Sequence, residues 1–133
     1  MPFRDADDVT TYIGGIFEAA FEDPELADRL RATGVVLQMR FHEPAADVVV
    51  DLINQSVHDS AEGLAVGATL AMSAETGNAY WQGKVNLPLA MAKGQVKVDG
   101  KVAGLLKLAP LSKRLYPTYV ARLQADGRHD LVV

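Results

Sequence analysis

Four neighbouring residues, Ser56, His58, Asp59 and Ser60, contain every side-chain type of a hydrolytic triad. A triad needs nucleophile, base and orienting carboxylate to converge in space, which near neighbours on one strand or turn seldom do. The stretch therefore reads as a polar loop, and an enzyme built on His58 and Asp59 is the weakest of the available functions. The other histidines, His42 and His129, share no ligand spacing with it, and no H-x-x-x-H pair occurs. His42 and Glu43, just before Pro44, read as a solvated hairpin tip. The chain has no cysteine, which removes disulfides, thiolate metal sites and a cysteine nucleophile. Gly63 and Gly67 do not form a dinucleotide-binding glycine pattern, and no phosphate-binding loop is present. No catalytic residue, metal or cofactor is expected.

Without a reaction to read, charge and apolar patterning carry the functional information. The net charge is -4 over 133 residues, but it is unevenly spread. Residues 1–78 carry four basic and fourteen acidic side chains, whereas residues 79–133 carry nine and three. The simplest reading is that the acidic first half lies against the basic second half. A sharper one is that Lys93, Lys97, Lys101, Lys107, Lys113 and Arg114 form a basic rim facing an anionic head group or a membrane surface. Nucleic acid is not expected, because few aromatics interleave with these cations and the total charge is negative. No apolar run reaches the roughly 20 residues of a membrane-spanning helix. The N-terminus is acidic and shows no secretory signal pattern, so a cytoplasmic protein is expected. The glycosylation sequon at Asn54 is then a chance match.

The elements that must position any site follow from periodicity. Val9, Tyr12, Ile13, Ile16, Phe17, Ala20 and Phe21 recur at helical spacing and predict a helix over 5–23. Gly14 and Gly15 fall off that stripe, either for close packing or by tolerance. Asp23 and Pro24 open a second helix that buries Leu26, Ala27 and Leu30 and stops before Gly34. The period then becomes two: Val35, Leu37, Met39 and Phe41 share one face of an antiparallel strand, and Val48, Val50 and Leu52 one face of the next, over 46–53. A third strand over 65–72 continues a meander, with a turn or short extra strand in 58–63. Ser73 caps a helix over 74–82, Asn86 a second short helix, and Gly83 and Gly94 stop them. Gln95–Asp99 alternates as a last strand. A terminal helix begins near Val102, is kinked or ended by Pro110 and broken again at Pro117, and carries Leu111, Leu115, Tyr119 and Leu123. The tail over 126–133 is expected to be loose. At this length one domain spanning 1–133, of α+β class, is expected.

Residues 65–109 are unusually rich in apolar side chains without polar counterparts, and they suit the wall of an apolar pocket. Met39, Met72, Met91 and Trp81 are adaptable or large surfaces that serve ordinary cores and apolar ligands alike. From composition alone the ordinary core is the preferred reading.

A resemblance carried by glycine and lysine spacing shifts that reading. Gly83-Lys84-Val85-Asn86, then Ala90, Gly94, Val96-Lys97-Val98, Gly100 and Lys107-Leu108 resemble the signature of the SCP-2-like sterol-transfer family. The order of elements is similar over residues 5–125. The resemblance implies a five-stranded, mainly antiparallel sheet covered by helices on one side, with a tunnel between them for sterols, fatty acids or fatty acyl-CoA. Its candidate lining is Met39, Leu70, Met72, Trp81, Leu87, Met91, Val96, Leu105, Leu106 and Tyr119. The function implied is a non-catalytic intracellular carrier whose partner is a lipid or sterol, with transient contact at a membrane surface. The alternative is a non-catalytic interaction module, a homodimer or the partner of a lipid-metabolising enzyme. Two departures stand out: the chain ends Asp130-Leu131-Val132-Val133 rather than in a small-Lys-Leu address, and Met91-Ala92-Lys93 stands where the family often has aromatics.

Overall fold

A computed structural model describes residues 3–133, and positions 1 and 2 of the expected domain lie outside it. The chain opens with one continuous helix made of α1 (Ala6–Val9), a π-helical segment (Thr10–Gly14) and α2 (Gly15–Phe21). Asp5 caps it by accepting the Asp8 amide at 2.8 Å. Gly14 is explained by close packing, since a β-carbon there would press on Val57; at Gly15 it would meet only the movable end of Arg122. Asp23 caps α3 (Pro24–Ala32).

Five strands follow: β1 (Val36–His42), β2 (Ala46–Asp51), β3 (Ser56–His58), β4 (Ala68–Ser73) and β5 (Val96–Gly100). They form one sheet in the order β3-β2-β1-β4-β5. The expected meander is corrected here. β1 lies at the centre, antiparallel to β2 but parallel to β4, so the chain crosses from one side of the sheet to the other between β3 and β4. The short extra strand exists, but over Ser56–His58, ahead of the polar stretch 58–63; the third expected strand begins at Ala68, not residue 65. The alternation is as read. Rows such as Val48–Met39–Leu70–Val98 and Ala46–Phe41–Met72–Val96 run across the inner face. Arg40, His42 and Lys97 stay exposed on the other.

Helices cover the inner face. The N-terminal helix lies on β2 and β3, while α4 (Ala74–Tyr80) and α6 (Val102–Ser112) lie on β1 and β4. α5 (Leu87–Ala92) packs beside β5. Gly83 and Gly94 both take φ +76°, a left-handed conformation that closes a helix without a β-carbon penalty. Pro110 lies inside α6, which continues two residues past it. Pro117 does not break a helix: it sits in the first turn of α7 (Tyr116–Ala125), where the missing amide has no internal acceptor to lose.

The tail is not loose. Leu131 is fully buried, and its carbonyl accepts from Asn78 Nδ2 at 2.7 Å and Gln82 Nε2 at 2.8 Å. The Val133 amide donates to Gln82 Oε1 at 2.9 Å. Tyr119 donates to Asn78 Oδ1 at 2.6 Å, so buried polar groups of α4 and α7 are satisfied together with the tail. Composition conceals this, because three apolar residues at a chain end look the same packed or free.

Arg128 joins the two ends of the chain, pairing with buried Asp8 at 2.7 Å. The hydrogen bonds from Arg128 hold the Asp8 carboxyl down at about 2. A carboxylate with a depressed folded pKa stabilises the fold above its unfolded value and loses that contribution as pH falls through the folded one. Asp8→Asn is therefore expected to cost on the order of 2 kcal/mol at neutral pH. Thermal melts across pH should show the gap to wild type full above pH 4 and closing toward pH 2.

Candidate ligand cavity

A small cavity lies where α4, α5 and α6 leave the sheet incompletely filled. Leu37 of β1 and Leu70 of β4 form its floor, Tyr80 and Trp81 one wall, and Leu87 of α5 with Leu105, Leu108, Ala109 and Ser112 of α6 the other. Its volume is about 30 Å3. That is room for a water molecule rather than a lipid.

The two walls are held very differently. Trp81 is buried among aromatic rings, with Phe17 edge-on at 5.2 Å and Tyr80 at 5.1 Å. The Asn78 hydrogen bonds fix the helix it follows to α7 and the tail. The opposite wall stands on α5, a helix of six residues, and on α6, whose Gly104 approaches Val35 so closely that a β-carbon there would collide. A helix as short as α5 is marginal on its own and depends on packing.

The lining is uncharged but not wholly apolar. Burial pushes the Tyr80 phenol up to about 12, with neighbouring Tyr116 adding to the shift, so it stays a neutral donor at physiological pH. Ser112 donates to the Leu108 carbonyl at 3.3 Å. Among the described residues, Trp81 Nε1 is the one buried side-chain polar atom without a hydrogen-bond partner. Most buried polar groups find one.

Of the ten candidates, Leu70, Trp81, Leu87 and Leu105 meet in this cavity. Met39, Met72 and Val96 are buried on the inner face of the sheet, and Tyr119 is buried beside Asn78. Met91 and Leu106 point outward, 43% and 70% exposed, so neither lines this cavity. Leu105 and Leu106 are adjacent leucines, and a helical turn of 100° separates their directions. Leu37, Tyr80, Leu108, Ala109 and Ser112 were not singled out as lining. Leu108, three residues after Leu105, could have been found from helical spacing alone. The hydrolytic reading finds only a fragment: Ser56 Oγ lies 2.8 Å from His58 Nε2, while Asp59 and Ser60 are exposed and Ser60 accepts the Glu62 amide.

The SCP-2 sterol transfer family model matches residues 16–113, which include the whole sheet and every cavity residue. The chain belongs to that family. Among solved structures, the apo form of sterol carrier protein 2 from Yarrowia lipolytica has the same fold, with a TM-score of 0.68, 16% identity, and 87% of this chain and 98% of that one covered. The sterol carrier protein domain 2 of Helicoverpa armigera aligns at 0.68 with 21% identity, covering 82% and 88%. Sterol carrier protein-2 from Aedes aegypti, solved in complex with palmitate, aligns at 0.52 with 27% identity over 65% of this chain and 86% of that one. No curated protein matches closely enough in sequence to be called a relative. No helix among the described residues is long and apolar enough to cross a membrane.

Truncation separates lining from surface. Leu108→Ala is expected to lower stability by about 3 kcal/mol, and Leu106→Ala by less than about 0.5 kcal/mol, in denaturant unfolding.

Proposed function

We propose that the protein is a non-catalytic carrier that takes one lipid, a sterol or a long acyl chain, into the space between the sheet and helices α4, α5 and α6. The observation that carries this reading is the cavity itself: in a family member, its wall is uncharged and mostly apolar and includes Trp81, whose buried indole N–H has no partner. That N–H, with Tyr80 and Ser112, suits a single hydroxyl or carbonyl oxygen at one end of an otherwise apolar molecule. The palmitate complex of the Aedes aegypti relative supports an acyl chain as the cargo class. The wall holds no histidine, carboxylate or cysteine; its residues are leucine, alanine, tyrosine, tryptophan and serine, which suits a carrier.

Loading requires the cavity to grow about tenfold, toward the several hundred cubic ångströms of an ordinary ligand site. In this reading α5 and α6 move and the α4 wall stays. Leu87 of α5 and Leu105 of α6, both half-buried, part first. The energetics suit a carrier. Burying a C16 chain is worth on the order of 12 kcal/mol gross at about 0.8 kcal/mol per methylene. Association costs several kcal/mol, which brings the net toward micromolar affinity, weak enough for release.

Displacement of a fluorescent fatty acid tests this directly. Saturable uptake is expected, accompanied by a change in emission from Trp81, the chain's single tryptophan. Leu105→Trp, which fills the gap, should weaken uptake about tenfold or more while the fold is retained by circular dichroism. A wild-type protein that takes up no fatty acid or sterol overturns the proposal.

A further inference from the structure

Arginine and lysine divide this molecule sharply. All seven arginines meet a carboxylate within 3.7 Å, including Arg114 with Glu25 and Arg128 with Asp8 across the two halves of the chain. Among the described residues none of the six lysines meets one. All six fall within residues 84–113, where Asp99 is the one acidic residue. Lys84 precedes α5, Lys93 follows it, Lys97 lies on the edge strand β5, and Lys101, Lys107 and Lys113 lie before, on and after α6. Residues 84–114 thus carry net +6 and the rest of the chain net -10.

The same segment carries four of the six large exposed apolar side chains: Leu89 and Met91 on α5, Val102 and Leu106 on α6. Along α6, Leu105 and Ala109 turn toward the cavity, and Leu106 is exposed beside them. The other flank borders an open groove of about 540 Å3, in which Val35, Ile53 and Val102 lie beside Lys101 and Lys107. Unpaired ammonium groups and exposed leucines thus occur together on the two helices that bound the cavity.

We infer that the α5–α6 face is a docking surface for an anionic lipid bilayer, through which cargo enters and leaves between these two helices. This rests on the carrier reading. Lysine ammonium groups interact with anionic head groups, and exposed leucine and methionine enter the boundary between head group and acyl chain. The net negative remainder of the protein is repelled, which turns the cationic face toward the membrane. A second copy of the chain is disfavoured, because it would bring two sets of unpaired lysines together. Nucleic acid gains nothing from a leucine 70% exposed at the centre of the face.

Vesicle co-sedimentation tests the surface. Wild type should bind phosphatidylcholine–phosphatidylserine vesicles, bind phosphatidylcholine alone far more weakly, and be released by salt. Lys93→Glu with Lys107→Glu should reduce binding about 25-fold or more, at about fivefold for each lysine lost and more for the added carboxylates, and Leu106→Ser about tenfold. Arg31→Glu with Arg40→Glu, the same change in net charge placed elsewhere, should stay within about twofold. All these side chains are exposed, so circular dichroism should report folded variants. Uptake of a fluorescent fatty acid from free solution should be the same in the lysine variant as in wild type. Equal loss in the lysine and arginine variants, equal binding to neutral and anionic vesicles, or a dimer dissolved by Leu106→Ser would overturn the docking surface. Docking as described with no fatty acid uptake would leave the surface standing and overturn the carrier reading.

Discussion

The amide of Asn78 joins segments that would otherwise have little reason to stay together. It donates to the Leu131 carbonyl and accepts from Tyr119 and Gln82, so α4, α7 and the C-terminal tail are fixed at one buried point. Such a network is strong only when every member is satisfied, and these are. Its consequence reaches the cavity: Tyr80 and Trp81 follow Asn78 along the same helix and its end, so the wall they form inherits the rigidity of the network. The facing wall has no comparable anchor. In the carrier reading, a pocket with one fixed and one loosely held side would admit a bulky apolar molecule without loss of the fold, the packing exchanged being that of α5 and α6.

The cations follow the same division. Arginines are used up in the body of the protein, where their planar, multi-donor heads tie α3 to the turn after α6 and the C-terminus to the first helix. Lysines are kept on the loosely held side and left without partners. A charge balance summed over the chain hides both facts. The expectation that acidic and basic halves complement one another is met by Arg114 and Arg128 and by none of the lysines, which is why the basic segment remains available to something outside the molecule.

Much of the fold could be read from the chain. Caps at Asp23, Ser73 and Asn86, the stops at Gly83 and Gly94, and the inward series Leu37, Met39, Phe41 are local matters, settled by side chains a few residues apart. The glycine and lysine spacing over 83–108 carried the family, and with it the five-stranded sheet that periodicity alone left one strand short. What periodicity misread depends on partners distant in sequence. The parallel pairing of β1 with β4 looks locally like any alternating strand, and Pro117 looks like a breaker until the turn before it places it at a helix start.

The cavity shows the boundary most clearly. By itself the sequence determined that residues 65–109 are unusually rich in apolar side chains and that one face of each strand read from its periodicity is apolar. Only the tertiary structure decided that Leu105 faces the cavity and Leu106 the solvent, that Met39 and Met72 are buried on the inner face of the sheet, and that the last residues are held rather than free. The physical reason is that hydrophobicity specifies how much surface is to be buried but not against what. Direction comes from the rotation of a helix on its neighbours, and in α6 the side turned toward Val35 is the one that carries Gly104, where a β-carbon would collide.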